Sequence, residues 1–363
     1  MLLIAKFRRK PLITKEEYKP ELSILIAAYN EEDLISDCLE SIIKSEYPID
    51  KIRIFVGSDG SSDNTNDIVD KYVKGNNNFK LVKFPRSGKN KVLNELMKEV
   101  KTPITFFLDA DLRLREGSLS DLVNILSDDN TGAALASVNI ISDKSGSDAG
   151  SHGETVYQKY ESFLRQKESQ IYSNINSLGT LYGIKTEYFK PFPSDKVCDD
   201  LFNLFSVALQ RKRVIFDKTV KVDEVRSKSI GQEFYRRVRV VAGGLSTAAY
   251  SLALLSPAYG LTAFFIWSHK ILRWLSPVFL IMLLLLTFTL RYDSVIRDIL
   301  FYSQLFFYLL SLAGYILDKF NVSVSFLKLA YFYVSMNLAF LFGIFRFIRG
   351  KQNSVWNRQG LAD

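Results

Sequence analysis

Two aspartates one residue apart, Asp109 and Asp111, end the apolar run 104–108 in TPITFFLDADLRLREG. A carboxylate pair of this kind can converge on a divalent cation, since Mg²⁺ is usually held by one or two carboxylates together with substrate phosphates. An Asp-rich turn with solvated side chains would use the same residues. The pair therefore gains meaning only if other polar groups reach the same place. A second pair, Asp199 and Asp200, stands in KVCDDLFNLF just before Leu201, Phe202, Leu204 and Phe205. Acidic residues at a helix start are ordinary capping chemistry. Asp59 in SDGSSD is a hydrogen-bond acceptor in a βα turn, and Ala28 and Tyr29 end another apolar run with a flat surface. Lys89 follows Gly88 where a helical pattern begins, so its charge lies beside free backbone N–H groups and suits a diphosphate. Glu31 lies in YNEE, at the first turn of a helical pattern.

These groups need a scaffold that brings them together. The runs 22–28, 52–56, 79–84 and 104–108 are short, apolar and bounded by polar or Gly-containing turns, as buried strands are. Leu34, Ile35, Cys38, Leu39, Ile42 and Ile43 recur at helical spacing after the first run, and Ile68, Val69, Tyr72 and Val73 after the second. Strands alternating with helices predict an α/β fold with a parallel sheet covered on both faces. In such sheets ligands bind in the crevice at the carboxyl ends of the strands. YNEE, SDGSSD and LDAD all fall there.

Taken with GTLYGIKTEYF (179–189), KVCDDLFNLFSVALQRKRVIFD (196–217) and QEFYRRVRVVAGG (232–244), these motifs resemble family 2 glycosyltransferases, the group that includes cellulose and poly-N-acetylglucosamine synthases. The resemblance covers nearly all of residues 20–275. It implies a GT-A (Rossmann-like) nucleotide-sugar-binding domain, a UDP-sugar donor and a Mg²⁺ or Mn²⁺ cofactor. Asp59 would accept from the uracil imide while Ala28 and Tyr29 wall the base, and Lys89 would meet the diphosphate. Asp109 and Asp111 would hold the metal, Asp111 directly. Asp200 matches the general base of an inverting transfer, and Asp199 stands where the family commonly has Glu. Tyr160 and Glu161 lie on a helix expected to line the acceptor groove. EFYRR at 233–237 falls where processive members carry QxxRW; Arg236 matches the motif arginine, with Glu233 in the Gln place and Arg237 in the Trp place. The missing Trp points to the addition of one or a few sugars rather than a long polymer.

Composition sets the remaining bounds. The chain has 363 residues and a net charge of +8, but its basic residues are scattered or cluster beside apolar segments (Lys6 to Lys10, Arg236 to Arg239, Arg346 to Lys351). That placement favours membrane lipid over nucleic acid as a partner. Two cysteines, Cys38 and Cys198, fit neither a zinc site nor a disulfide framework. We expect an N-terminal segment at 1–20 that could be the remnant of a span, a cytoplasmic GT-A catalytic domain at 21–230 and interfacial amphipathic helices at 231–274. A transmembrane domain at 275–347 and a tail at 348–363 follow, making an integral membrane protein. Three spans are expected, at 275–290, 299–317 and 329–345, each near the length a bilayer requires. Three spans put the basic tail on the far side from the catalytic domain, against the positive-inside rule. The acceptor is expected to be a glycan or a lipid-linked one. A polyprenyl-phosphate glycosyltransferase is the enzymatic alternative, and a transporter or scaffold with a nucleotide-sensing domain the non-enzymatic one. A transporter would call for ionisable residues inside its spans. Asp200 favours a hydroxyl acceptor, since a phosphate arrives already ionised.

Overall fold

The structure is a computed structural model that describes residues 14, 15, 18–142, 151–177, 179, 181–193, 198–226, 230–289, 294–320, 322 and 324–350. The expectations for most of 1–20, and for residues 351–363 of the tail, lie outside the described residues. One eight-stranded sheet forms the centre. Its strands are β1 (Leu22–Ala28), β2 (Ile52–Asp59), β3 (Phe79–Phe84), β4 (Ile104–Phe107), β5 (Leu112–Leu114), β6 (Thr131–Ser142), β7 (Tyr182–Lys185) and β8 (Arg213–Arg226), in the order β3-β2-β1-β4-β7-β6-β8-β5.

The half formed by β3, β2, β1 and β4 is parallel, as the alternating pattern requires. Beyond β4 the sheet is mixed: β7 runs antiparallel to both β4 and β6, and β5 runs antiparallel to β8. The difference from a wholly parallel sheet arises because β7 and β5 are strands of four and three residues, too short to show a period in the sequence. Strand β1 reads as a continuous apolar run because both of its faces are buried. Leu22, Ile24, Ile26 and Ala28 pack with helices α1 (Ile35–Ile43), α2 (Thr65–Gly75) and α4 (Ser118–Leu126), while Leu25 joins α3 (Lys89–Met97) and α6 (Asp199–Leu209) on the other face. Burial of each such side chain is worth about 1.5–3 kcal/mol relative to exposure, which fixes the register of β1 and hence the position of the loop that follows it.

Helix α5 (Ser151–Ile171) precedes β7, and α7 (Ile230–Tyr250) leads out of the sheet domain. Next come α8 (Leu261–Ile266), a π-turn over Trp267–Ile271, a last helical turn Leu272–Trp274, and then α9 (Ser276–Thr289), α10 (Val295–Lys319) and α11 (Ser325–Ile348). Only α10 and α11, with 25 and 24 residues, are each long and apolar enough to cross a membrane among the described residues. The first of the three expected spans is α9, whose 14 residues reach about 21 Å at 1.5 Å per residue, short of the roughly 30 Å hydrocarbon core. It passes the length test only when joined across a 57° bend to Leu261–Trp274.

Candidate active site

Register alone gathers the first motifs. Ala28 lies opposite Ser58, Leu25 opposite Phe107, and Asp59 opposite Phe84, so the chain leaves β1, β2, β3 and β4 at the same edge of the sheet. Two of the loops are laced to each other. The Asn30 side chain accepts from the Ser62 N–H at 2.9 Å, the Glu31 N–H donates to Thr65 Oγ1 at 2.8 Å, and Glu32 Oε2 accepts from the Asn64 side chain at 2.8 Å. Asn30 takes a left-handed φ of 52° to make this turn, a conformation Asn tolerates better than most residues. Glu31 is itself buried and its charge acts on the Cys38 thiol.

Asp59, only 3% exposed, accepts from the Ser87 N–H at 2.6 Å and the Gly88 N–H at 3.0 Å, and pairs with the Arg86 guanidinium. Arg86 also lies 3.3 Å over the Tyr29 ring centroid. A guanidinium stacked on an aromatic face and bonded to a carboxylate holds the Tyr29, Asp59 and Arg86 side chains together. Sequence reasoning named Tyr29 and Asp59 but passed over Arg86. Its signal was its place in the basic turn that also supplies Lys89.

Lys89 Nζ lies 2.6 Å from Asp109 Oδ1 and 3.1 Å from Asp199 Oδ2, so one ammonium ties the β4 loop to the first turn of α6. Burial opposes its charge, but Asp109 and Asp199 together outweigh burial and raise its pKa. Burial likewise pushes the Asp199 carboxyl up to about 6, with Lys89 pulling the other way and the Asp200 and Asp109 charges adding to the rise. Asp200 is held by two backbone groups. The Gly179 N–H donates to Oδ2 at 2.8 Å and the Leu201 N–H to Oδ1 at 2.7 Å. Gly179 has a φ of +66°, and a Cβ there would lie 3.9 Å from Asp109 Oδ2 and 4.0 Å from Asp200 Oδ2. The two acidic motifs thus face each other across this glycine, which a side chain would strain.

Asp111 sits in the turn between β4 and β5, where the Leu112 N–H bonds the Asp109 carbonyl at 3.1 Å. Burial, with the Asp111 and Asp109 charges, raises the pKa of the Cys38 thiol, which places both carboxylates beside α1. Among the described residues no group of three or more His, Cys, Asp and Glu side chains could hold a metal by itself. Two carboxylates at an open edge suit a cation whose other ligands are phosphate oxygens and water, so the residues present fit such a metal.

Three expected residues fall elsewhere. Tyr160 is 55% exposed on α5. Glu161 is buried, pairs with Arg273 and accepts from Asn176 Nδ2 at 2.6 Å, inside a seam rather than an open groove. Arg236 bonds Glu233 on its own helix at 2.8 and 3.1 Å, and Glu233 also holds Arg237 at 2.5 Å. The α7 guanidinium on which Cys198, Asp109 and Asp199 act is Arg239, one turn on, where burial lowers its pKa against those charges.

A parallel half-sheet that carries the Asp59, Lys89 and Asp109 loops at one edge and is continued by a mixed half has the GT-A architecture. Residues 23–183 match the Glycosyl transferase family 2 model, and this part of the chain is a family 2 glycosyltransferase domain. Its relatives include the poly-β-1,6-N-acetyl-D-glucosamine synthase of Staphylococcus epidermidis, 39% identical over 107 residues, which are 29% of this chain and 25% of that protein. The enzyme of the same name from Staphylococcus aureus strain MSSA476 is 26% identical over 246 residues, 65% of this chain and 57% of that protein. The chain thus matches between about a quarter and just over half of the length of these relatives. Among solved structures, the mannosyltransferase PcManGT from Pyrobaculum calidifontis, in complex with GDP-Man and Mn²⁺, has a TM-score of 0.69 at 20% identity and covers 97% of this chain and 95% of its own.

Proposed function

We propose that this protein is an inverting glycosyltransferase that moves a sugar from a UDP-sugar to a hydroxyl of a glycan or lipid-linked acceptor at a membrane surface. The observation that carries this reading is the convergence of Asp59, Lys89, Asp109, Asp199 and Asp200 at one sheet edge. Asp59, Tyr29 and Arg86 bind the base, and Lys89 with Arg239 faces the diphosphate. Asp109 and Asp111 would hold a divalent cation, which when bound would supply positive charge to the leaving diphosphate. Asp200, aimed by two N–H groups, takes the acceptor proton as the hydroxyl attacks the anomeric carbon. Lys89 then serves both halves of the reaction, since Asp109 belongs to the donor side and Asp199 to the acceptor side.

The names of the relatives support a role in exopolysaccharide or cell-envelope glycan synthesis, and the basic residues beside the apolar segments support a catalytic domain on the cytoplasmic side. The EFYRR sequence and the two span-length helices favour addition of one or a few sugars over polymer export. The test is to incubate the purified protein with a panel of sugar nucleotides and Mg²⁺ or Mn²⁺, follow nucleoside diphosphate release and weigh the products by mass spectrometry. Release of UDP with a short glycosylated product is expected. Failure to turn over any nucleotide sugar would overturn the proposal.

A further inference from the structure

The interfacial segment meets the sheet domain through charged groups that the transfer chemistry leaves unused. His269 Nδ1 lies 2.5 Å from Glu168 Oε1, Arg273 pairs with Glu161, and Lys270 Nζ donates to Asn176 Oδ1 at 2.7 Å. Lys270 is 4% exposed and Asn176 7%. Asn176 bridges: its Nδ2 donates to Glu161, and its backbone is clamped by Asn174, whose Oδ1 accepts from the Asn176 N–H at 3.1 Å and whose Nδ2 donates to the Asn176 carbonyl at 2.7 Å. Three residues further on is Gly179, whose N–H orients Asp200. On the other flank Ile271 and Trp274 pack in one cluster with Leu201 and Phe205 of α6, the helix that begins with Asp199 and Asp200. The π-turn therefore touches both structures that aim Asp200. Single π-turns inside α-helices occur frequently at functional sites.

We propose that Lys270 is a positioning residue for the transfer step, its ammonium holding Asn176 and so the segment that supplies the Gly179 N–H to Asp200. The proposal rests on Asp200 being the base. Transfer then depends on the seating of the interfacial helix on the sheet domain, while donor binding, at the opposite side of Asp109, does not. The groups that act on Lys270 are Arg273 from its own segment, Glu161 from α5, Asp200 in the first turn of α6 and the Cys198 thiol just before it, and Glu161 is in turn acted on by Arg165 of α5, Arg237 of α7 and Arg273, while the neighbouring His269 pairs with Glu168 of α5. Burial, then Arg273, brings Lys270 down to about 8, with Glu161, Asp200 and Cys198 opposing. Its charge is thus present at neutral pH and lost above that value.

The test uses the full chain in nanodiscs with a UDP-sugar and its acceptor. For Lys270→Met we expect kcat for transfer to fall about tenfold or more, because small misplacements of a reacting group are costly, with UDP affinity and donor KM within about threefold. Wild-type kcat should decline as pH rises through about 8, and Lys270→Arg, whose guanidinium stays charged, should move that decline to higher pH. A Lys270→Arg protein that transfers no better than Lys270→Met would overturn the proposal. So would a Lys270→Met protein that transfers at the wild-type rate, or one whose UDP affinity falls in step with kcat. If Asp200→Asn itself transfers normally, the assignment of the base fails; if only the Lys270 results fail, the base stands and the positioning role does not.

Discussion

Replacing Asp200 by Asn separates a chemical role from a structural one. Each carboxylate oxygen accepts one backbone N–H, Oδ2 from Gly179 and Oδ1 from Leu201. Asn keeps one acceptor and turns its amide N–H₂ towards the other donor. A donor left unsatisfied in this way costs about 1–3 kcal/mol, which lowers Tm by several degrees in a domain of this size. Removing a general base costs about 10²–10⁴ in rate, or about 2.7–5.4 kcal/mol at 1.36 kcal/mol per decade. The chemical loss should therefore exceed the structural one. The assay compares product formation, UDP affinity by calorimetry and thermal unfolding for the wild type and the variant. Expected is a fall in transfer of at least about a hundredfold, with UDP affinity within a few-fold. Transfer within about tenfold of wild type would refute the reasoning and indicate an acceptor that arrives ionised, such as a lipid phosphate.

Further outcomes follow from other contacts. Asp111→Asn should abolish turnover and the dependence of UDP binding on Mg²⁺ or Mn²⁺, measured by calorimetry with and without chelator; near-normal metal-dependent activity would remove Asp111 from the metal site. Arg239→Ala should weaken UDP binding more than Arg236→Ala, because Arg239 feels Asp109 and Asp199 whereas Arg236 is bonded to Glu233; equal losses, or the reverse order, would return the motif role to Arg236. Burial works against the Glu161 charge, but Arg273, Arg165 and Arg237 lower its pKa below the ordinary carboxylate value. Its contribution is therefore fully present above the unfolded pKa and lost as pH falls through the lower, folded one. Hydrogen exchange at α8 and the π-turn should accordingly rise on acidification, and at higher pH in Arg273→Gln than in wild type; an unchanged midpoint in that variant would contradict the role of the pair.

The parallel half of the sheet was legible in the sequence because parallel strands announce themselves. Each of β1, β2 and β4 contains a short apolar run that is followed by polar residues, and register does the rest. The loops that carry Asp59 and Asp109 could therefore be placed at one edge of the sheet. Arg86 and Gly179 were missed because their roles depend on tertiary contacts that no period encodes: a ring stacked from another loop, and a backbone N–H aimed across 21 residues of chain. Glu161 shows the opposite failure. An acidic residue on an amphipathic helix has the same pattern whether it faces a groove or a buried arginine, and here Arg273 lies 112 residues away.

The membrane part turns on chain direction. With α9 too short to span, the pair of α10 and α11 forms a hairpin, closed where the Leu327 carbonyl approaches Gly314, at which a Cβ would lie 2.3 Å from it. A hairpin of two spans returns the chain to the side from which it left. Contacts at the other end say which side this is: Phe342 meets Phe234 of α7, and Gly343 packs on Val238 and Val241. Helix α7 carries Arg236, Arg237 and Arg239, and the Asp109 and Asp199 charges act on Arg239. If α10 and α11 are the two spans, Arg346 and Arg349 at the end of α11 lie on the side of the sheet domain, as the positive-inside rule expects. Two polar side chains bridge these helices: Ser276 donates to Asn337 Oδ1 at 2.6 Å, and Gln304 Nε2 donates to the Leu280 carbonyl at 2.9 Å. A wall for a passing polysaccharide needs inward polar groups to replace water. Here those groups knit the helices together, which suits a catalytic domain held at the membrane surface better than a pore through it.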